Sequence, residues 1–72
     1  MRDTRRVRVR VNGEERLVAP ETSIAALLLG ADATMAAVAR NREVVPRAQW
    51  ALTFLDDGDE VEIVRPVQGG AL

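Results

Sequence analysis

Neither cysteine nor histidine occurs among the 72 residues. The first absence excludes disulfides, thiolate metal sites and a thiol nucleophile. The second removes the commonest general base and the commonest metal ligand. Aromatic residues are scarce as well, with only Trp50 and Phe54, which argues against a base-stacking surface for nucleic acid. Long apolar runs are missing too. The longest, residues 24–29, is far short of the ~20 residues that span a bilayer, and no apolar signal-peptide core follows Met1-Arg2-Asp3. A chain that needs no disulfide is expected in the cytoplasm, with no membrane or nucleic-acid partner. It carries no nucleophile, base or metal constellation, so it is not expected to be an enzyme in its own right.

A chain of this length is one domain that buries only about 60% of the surface its unfolded form exposes. With 47% hydrophobic and 29% charged residues, it has the composition of a folded domain with little spare core for a pocket. The formal net charge is -1, but its layout is uneven: Arg5, Arg6, Arg8 and Arg10 lie early, and Asp56, Asp57, Asp59, Glu60 and Glu62 lie late. The early arginines read either as a phosphate-binding patch or as the solvent side of a strand beside acidic neighbours. The balanced charge weighs toward the second.

Val7, Val9 and Val11 alternate with Arg6, Arg8 and Arg10, the period of two that marks a half-buried strand. Asn12-Gly13 follows, a dipeptide suited to the positive φ angles of a tight hairpin turn. Residues 14–19 read as the returning strand. Pro20 stops it, and Glu21-Thr22-Ser23 reads as a helix start, with Thr22 or Ser23 as the cap. Ile24, Leu27 and Leu28 share one helical face, and Gly30 is the expected stop, giving a helix of two to three turns. Residues 35–39 suggest a buried strand, Asn41-Arg42 a turn, residues 43–45 a short strand ended by Pro46.

Residues 48–55 carry no single period, although Trp50, Leu52, Phe54 and Leu55 supply bulk for a small core. Asp56-Asp57-Gly58-Asp59 is a turn by composition, a reading that outweighs a cation site, which would need more ligands in a longer register. Residues 60–64 alternate again, with Val61 and Ile63 inward. This order predicts an α+β fold, a mixed sheet of four to five strands packed on one short helix. The last strand would run parallel beside the first, setting Glu60 and Glu62 on the face of Arg8 and Arg10. Core packing is the preferred reading of Trp50 over a binding hot spot, and a solvated strand-end charge that of Arg47 over a contact to a partner carboxylate.

Past Val64 the sequence runs Arg65, Pro66, Val67, Gln68, Gly69, Gly70, Ala71, Leu72. Pro66 cannot donate to a ladder and the glycines lose most entropy on ordering. The expected division is therefore a domain over residues 1–67 and a flexible tail over residues 68–72. A glycine carboxyl has no Cβ, so it can pass a narrow channel and has no stereocentre to racemise when activated. The plain alternative is a frayed terminus.

Three stretches together carry a family resemblance: Val9-Arg10-Val11-Asn12-Gly13-Glu14, then Thr22 with Ile24, Leu27 and Leu28, then residues 41–50, which read Asn-Arg-Glu-Val-Val-Pro-Arg-Ala-Gln-Trp. Residues 57–64, beginning Asp57-Gly58-Asp59, and the Gly69-Gly70 pair continue it. In these the chain resembles the sulfur carrier protein of thiamine biosynthesis over nearly its whole length. The resemblance implies a β-grasp, ubiquitin-like fold. It implies that the Gly70 carboxyl is adenylated by a separate E1-like adenylyltransferase using MgATP, with no cofactor held by the chain itself. The adenylate would become a thiocarboxylate by way of a sulfur donor of cysteine desulfurase or rhodanese type, and the sulfur would pass to a thiazole synthase. Gly69 would let the tail enter both enzymes. Val64, Pro66 and Val67 are expected to form the docking surface beside it, the alternative for Val64 being a half-buried strand end.

One feature departs from that family. Ala71 and Leu72 follow the glycine pair, so the Gly70 carboxyl is held in a peptide bond until a peptidase, by analogy a metalloprotease, removes them. The same pattern also leaves open a carrier with another acceptor, in molybdopterin, amino-acid or secondary metabolism, or a ubiquitin-like protein modifier.

Overall fold

The valines of the first strand are what the fold is built on. In the computed structural model, which describes residues 6–29 and 35–65, β1 (Val7–Val11) turns at Asn12-Gly13 into the antiparallel β2 (Glu14–Val18). Both turn residues have positive φ, 50° and 85°, the left-handed geometry that asparagine and glycine accept most readily. Val9 and Val11 are buried, while Arg8 and Arg10 face solvent.

A single-turn helix follows, α1 (Ile24–Leu27). Ser23 is its N-cap, its hydroxyl accepting from the Ala26 N–H at 3.0 Å. The chain then forms β3 (Ala37–Arg40), a tight turn at Asn41-Arg42, β4 (Glu43–Val45), a 3₁₀ helix over Arg47–Leu52, and β5 (Glu60–Val64). The five strands make one mixed sheet in the order β2-β1-β5-β3-β4. As the sequence predicts, β5 is parallel to β1, with Arg10 opposite Glu60 and Val11 opposite Val61. It is antiparallel to β3.

One face of the sheet holds the core. Val9, Val11, Val38 and Val61 pack with Ile24 and Leu28 of the helical segment and with Trp50 and Leu55. The Trp50 indole N–H donates to the Val45 carbonyl at 2.8 Å, so its one polar atom is satisfied in place. The arrangement is the α+β β-grasp fold.

Four local expectations are corrected. The helix is one turn, not two to three. Leu28 has φ -91°, ψ 2° and Leu29 closes back on the Ala26 carbonyl at 3.1 Å, a 3₁₀-type bond that ends the α pattern. Leu29 is 85% exposed, so a second turn would gain little packing, and short helices depend on packing. Gly30 lies outside the described residues. The third strand begins at Ala37 rather than at residue 35, since Met35 is exposed and Arg40 extends the strand by pairing with Val61.

Of the four bulky residues in 48–55, only Trp50 and Leu55 are buried; Leu52 and Phe54 are exposed. Three residues per 3₁₀ turn stack Arg47 and Trp50 on one line, and the Arg47 guanidinium lies 4.6 Å from the centre of the Trp50 ring. Leu52 is two residues on and falls on the solvent side. Arg47 thus starts a 3₁₀ helix over an aromatic face and is not a strand-end charge.

Candidate functional site

Strand β5 leads to the glycine pair, and its pleat sorts what surrounds the exit. Val61 and Ile63 point to the core side, and Glu60, Glu62 and Val64 to the open face. Val64 is 65% exposed, which decides against a half-buried strand end. Across the sheet it lies opposite Ala37, and Ala39 lies opposite Val44, itself exposed. The outer face of β5, β3 and β4 therefore presents a small apolar strip of Val64, Ala37, Ala39 and Val44, bordered by Glu62 opposite Ala39. Val44 and the two alanines were not singled out from sequence, because only the strand register brings them beside Val64.

The other half of that face is charged. Glu60 lies opposite Arg10, and Arg8 makes an ion pair with Glu15 of β2 at 3.1 Å. Strand-to-strand charge complementarity thus accounts for Arg8 and Arg10. Both partners of the Arg8 pair are more than half exposed, so the pair adds little stability. Pro66, Val67, Gly69 and Gly70, expected to carry docking and chemistry, lie outside the described residues.

The acidic turn before β5 is a structural knot. The Asp57 carboxylate accepts from the Arg8 backbone N–H at 2.8 Å, and the Gly58 N–H donates to the Arg8 carbonyl at 2.7 Å. Gly58 sits at φ +90°, where any other residue is strained. Asp59 is buried. One of its carboxylate oxygens accepts from the Asn41 side-chain amide at 3.0 Å, and the other from the Asp56 N–H at 2.8 Å. These carboxylates join β1, β5 and the β3–β4 turn, which is the work their sequence pattern reads as a turn.

At the far end of β5 a residue known from sequence only as half of a turn takes a second part. The Asn12 side-chain oxygen accepts from the Ile63 N–H at 2.8 Å, and its amide nitrogen donates to the Ile63 carbonyl at 3.3 Å. A groove of about 330 Å³ lies here, lined by Val11, Asn12, Glu14, Arg16, Ile63 and Arg65. Its lining includes Arg65, the last described residue before the glycine pair.

Comparison with known proteins agrees with the fold. The ThiS family matches residues 9–70. A stretch of 63 residues is 43% identical to part of a thiazole synthase from Paramagnetospirillum magneticum, covering 85% of this chain and 19% of that protein. The sulfur carrier protein ThiS of Escherichia coli is 43% identical over 35 residues, 49% of this chain and 53% of that one. The chain thus spans about half of one curated relative and a fifth of the other. The crystal structure of the thiamine biosynthesis protein (ThiS) from Geobacter metallireducens superposes with a TM-score of 0.75 at 32% identity, over 89% of this chain and all of that one. With a family match that runs from the second valine of β1 to the second glycine of the pair, the chain belongs to the ThiS family.

Proposed function

We propose that this chain is a sulfur carrier for thiamine thiazole formation, with the Gly70 carboxyl as the atom-bearing group. The observation that carries the reading is where the family match stops. It ends at residue 70, on the second glycine, and leaves Ala71 and Leu72 outside the shared pattern. The domain supplies a rigid body with an open apolar strip beside the exit of β5. Once Ala71 and Leu72 are removed, Gly70 would supply the carboxyl on which a partner enzyme acts.

The chemistry has three steps. Water first adds across the Gly70–Ala71 peptide bond, freeing the Gly70 carboxylate and the amino group of Ala71. A carboxylate oxygen then attacks the α-phosphorus of MgATP on an E1-like adenylyltransferase, and pyrophosphate leaves. A thiol reduces the donor's persulfide, ending as a disulfide and releasing hydrosulfide; the hydrosulfide attacks the acyl carbon, the bond to AMP breaks, and a thiocarboxylate, AMP and a proton result. Gly69 and Gly70 present no Cβ to the walls of the partner's channel. The chain itself supplies neither base nor nucleophile.

The likeness of 63 residues to part of a thiazole synthase supports such a synthase as the sulfur acceptor's enzyme. Val64 with Ala37, Ala39 and Val44 is the surface that would meet these partners, and Pro66 and Val67 would extend it along the chain. ATP–pyrophosphate exchange tests the reading. With the activating enzyme, the form ending at Gly70 should support exchange and the 72-residue form should not. Exchange by neither form would overturn it.

A further inference from the structure

We infer that Asn12 is a positioning residue for the sulfur-bearing end of the chain, a role that rests on the sulfur-carrier reading for its consequence and on strand geometry for its cause. Strand β5 outruns its parallel neighbour. The β1–β5 register pairs Arg10 with Glu60 and Val11 with Val61, and the last backbone bond between them is Asn12 N–H to the Val61 carbonyl, 2.9 Å. The chain then turns away at Asn12-Gly13 to form β2.

Peptide groups alternate sides along a strand. The Glu60 carbonyl faces β3, where it accepts from Asn41 N–H, and the Val61 carbonyl faces β1. Ile63, two residues on, therefore aims its N–H and its carbonyl at the side β1 has just left. Unpaired by protein, both would turn to water and the strand would lose its hold on that side.

The Asn12 carboxamide fills that place. It offers one acceptor and one donor, as a peptide unit does, and it meets the Ile63 N–H at 2.8 Å and the Ile63 carbonyl at 3.3 Å. Pairing on the β1 side of β5 is thus carried two residues past the end of β1. On the other side Val64 stays opposite Ala37, so the strand is held from both flanks up to the residue before Arg65. From Arg65 to Gly70 is five residues, a reach of at most about 17 Å. Releasing Ile63 would leave the end of β5 held by β3 alone, loosening Val64 in its register and the point from which that reach begins. Each change lowers the effective concentration of the Gly70 carboxyl at a partner docked on the sheet.

The test compares wild type with N12G and N12D, all ending at Gly70. Glycine keeps the positive φ of the turn and removes the whole carboxamide; aspartate keeps the acceptor for the Ile63 N–H and loses the donor. In N12G the Ile63 amide should exchange at least about tenfold faster while the β1–β2 hairpin amides keep their protection. KM with the activating enzyme should rise about tenfold, the scale of ordering one further residue, with kcat within about twofold. N12D should fall between the two. An unchanged KM in N12G beside an active wild type would overturn the positioning role, as would an Ile63 amide no faster than wild type. An inactive wild type would instead defeat the sulfur-carrier reading and the positioning role with it.

Discussion

The buried carboxylate of Asp59 accepts a hydrogen bond from the side-chain amide of Asn41 at 3.0 Å, tying the start of β5 to the β3–β4 turn. Asn41 reciprocates through its own oxygen, which accepts from the Glu60 N–H at 2.9 Å. Arg40 lies 3.6 Å from the second Asp59 oxygen and also donates to the Phe54 carbonyl at 3.0 Å. Arg40 at the end of β3 and Asn41 of the turn thus hold the segment between the 3₁₀ helix and the last strand.

Removing that acceptor leaves the Asn41 amide and the Asp56 N–H without partners in a part-buried site. The substitution D59A should cost about 2–3 kcal/mol and lower the melting temperature by about 10 °C or more in a domain of this size. D59N keeps an acceptor oxygen for Asn41 and should cost about half as much. Urea unfolding of the three proteins checks the order; equal stability of D59A and wild type would contradict it.

Arg42 has φ 71° although it is not glycine. A left-handed backbone costs a residue with a Cβ about 1–2 kcal/mol, and glycine's extra freedom in the unfolded chain returns about 0.4–1 kcal/mol of that. R42G should therefore stabilise the protein slightly, by about 0.5–1 kcal/mol, with Arg42 exposed and outside the core. Its midpoint in urea should rise, whereas a fall would show that the Arg42 side chain contributes more than its backbone loses.

A charge placed on the open strip separates docking from folding. Val64 is 65% exposed and points away from the core, so V64D should change stability by no more than about 0.5 kcal/mol. A second carboxylate beside Glu62 on that strip should weaken binding of the activating enzyme by about tenfold or more. Titration calorimetry with that enzyme measures it. Wild-type affinity in V64D would remove Val64 from the docking surface.

Where pattern and backbone chemistry agree, the fold can be read from the residues. Alternating Val7, Val9 and Val11 with Asn12-Gly13 specify the hairpin, and the late alternation of Val61 and Ile63 specifies the strand that runs parallel beside it. Helix length is not written the same way. The apolar stretch from Ile24 suits a longer helix, and the turn ends at Leu29, which is exposed. Leu52 and Phe54 look like core by hydrophobicity alone, but the 3₁₀ period turns Leu52 to solvent. The docking strip depends on register: Val44 and Ala39 meet only because β3 and β4 pair as they do. Asn12 is legible as a turn residue, while its bond to Ile63, 51 positions away, exists only once β1 and β5 lie together.

The most direct test of the central claim is intact mass. The chain ending at Gly70 and the 72-residue chain are each incubated with MgATP, the activating enzyme and a sulfide source. A gain of about 16 Da, oxygen replaced by sulfur, is expected on the form ending at Gly70 and on no other. No gain on either form, or an equal gain on both, would contradict a carrier whose sulfur rides on the freed Gly70 carboxyl.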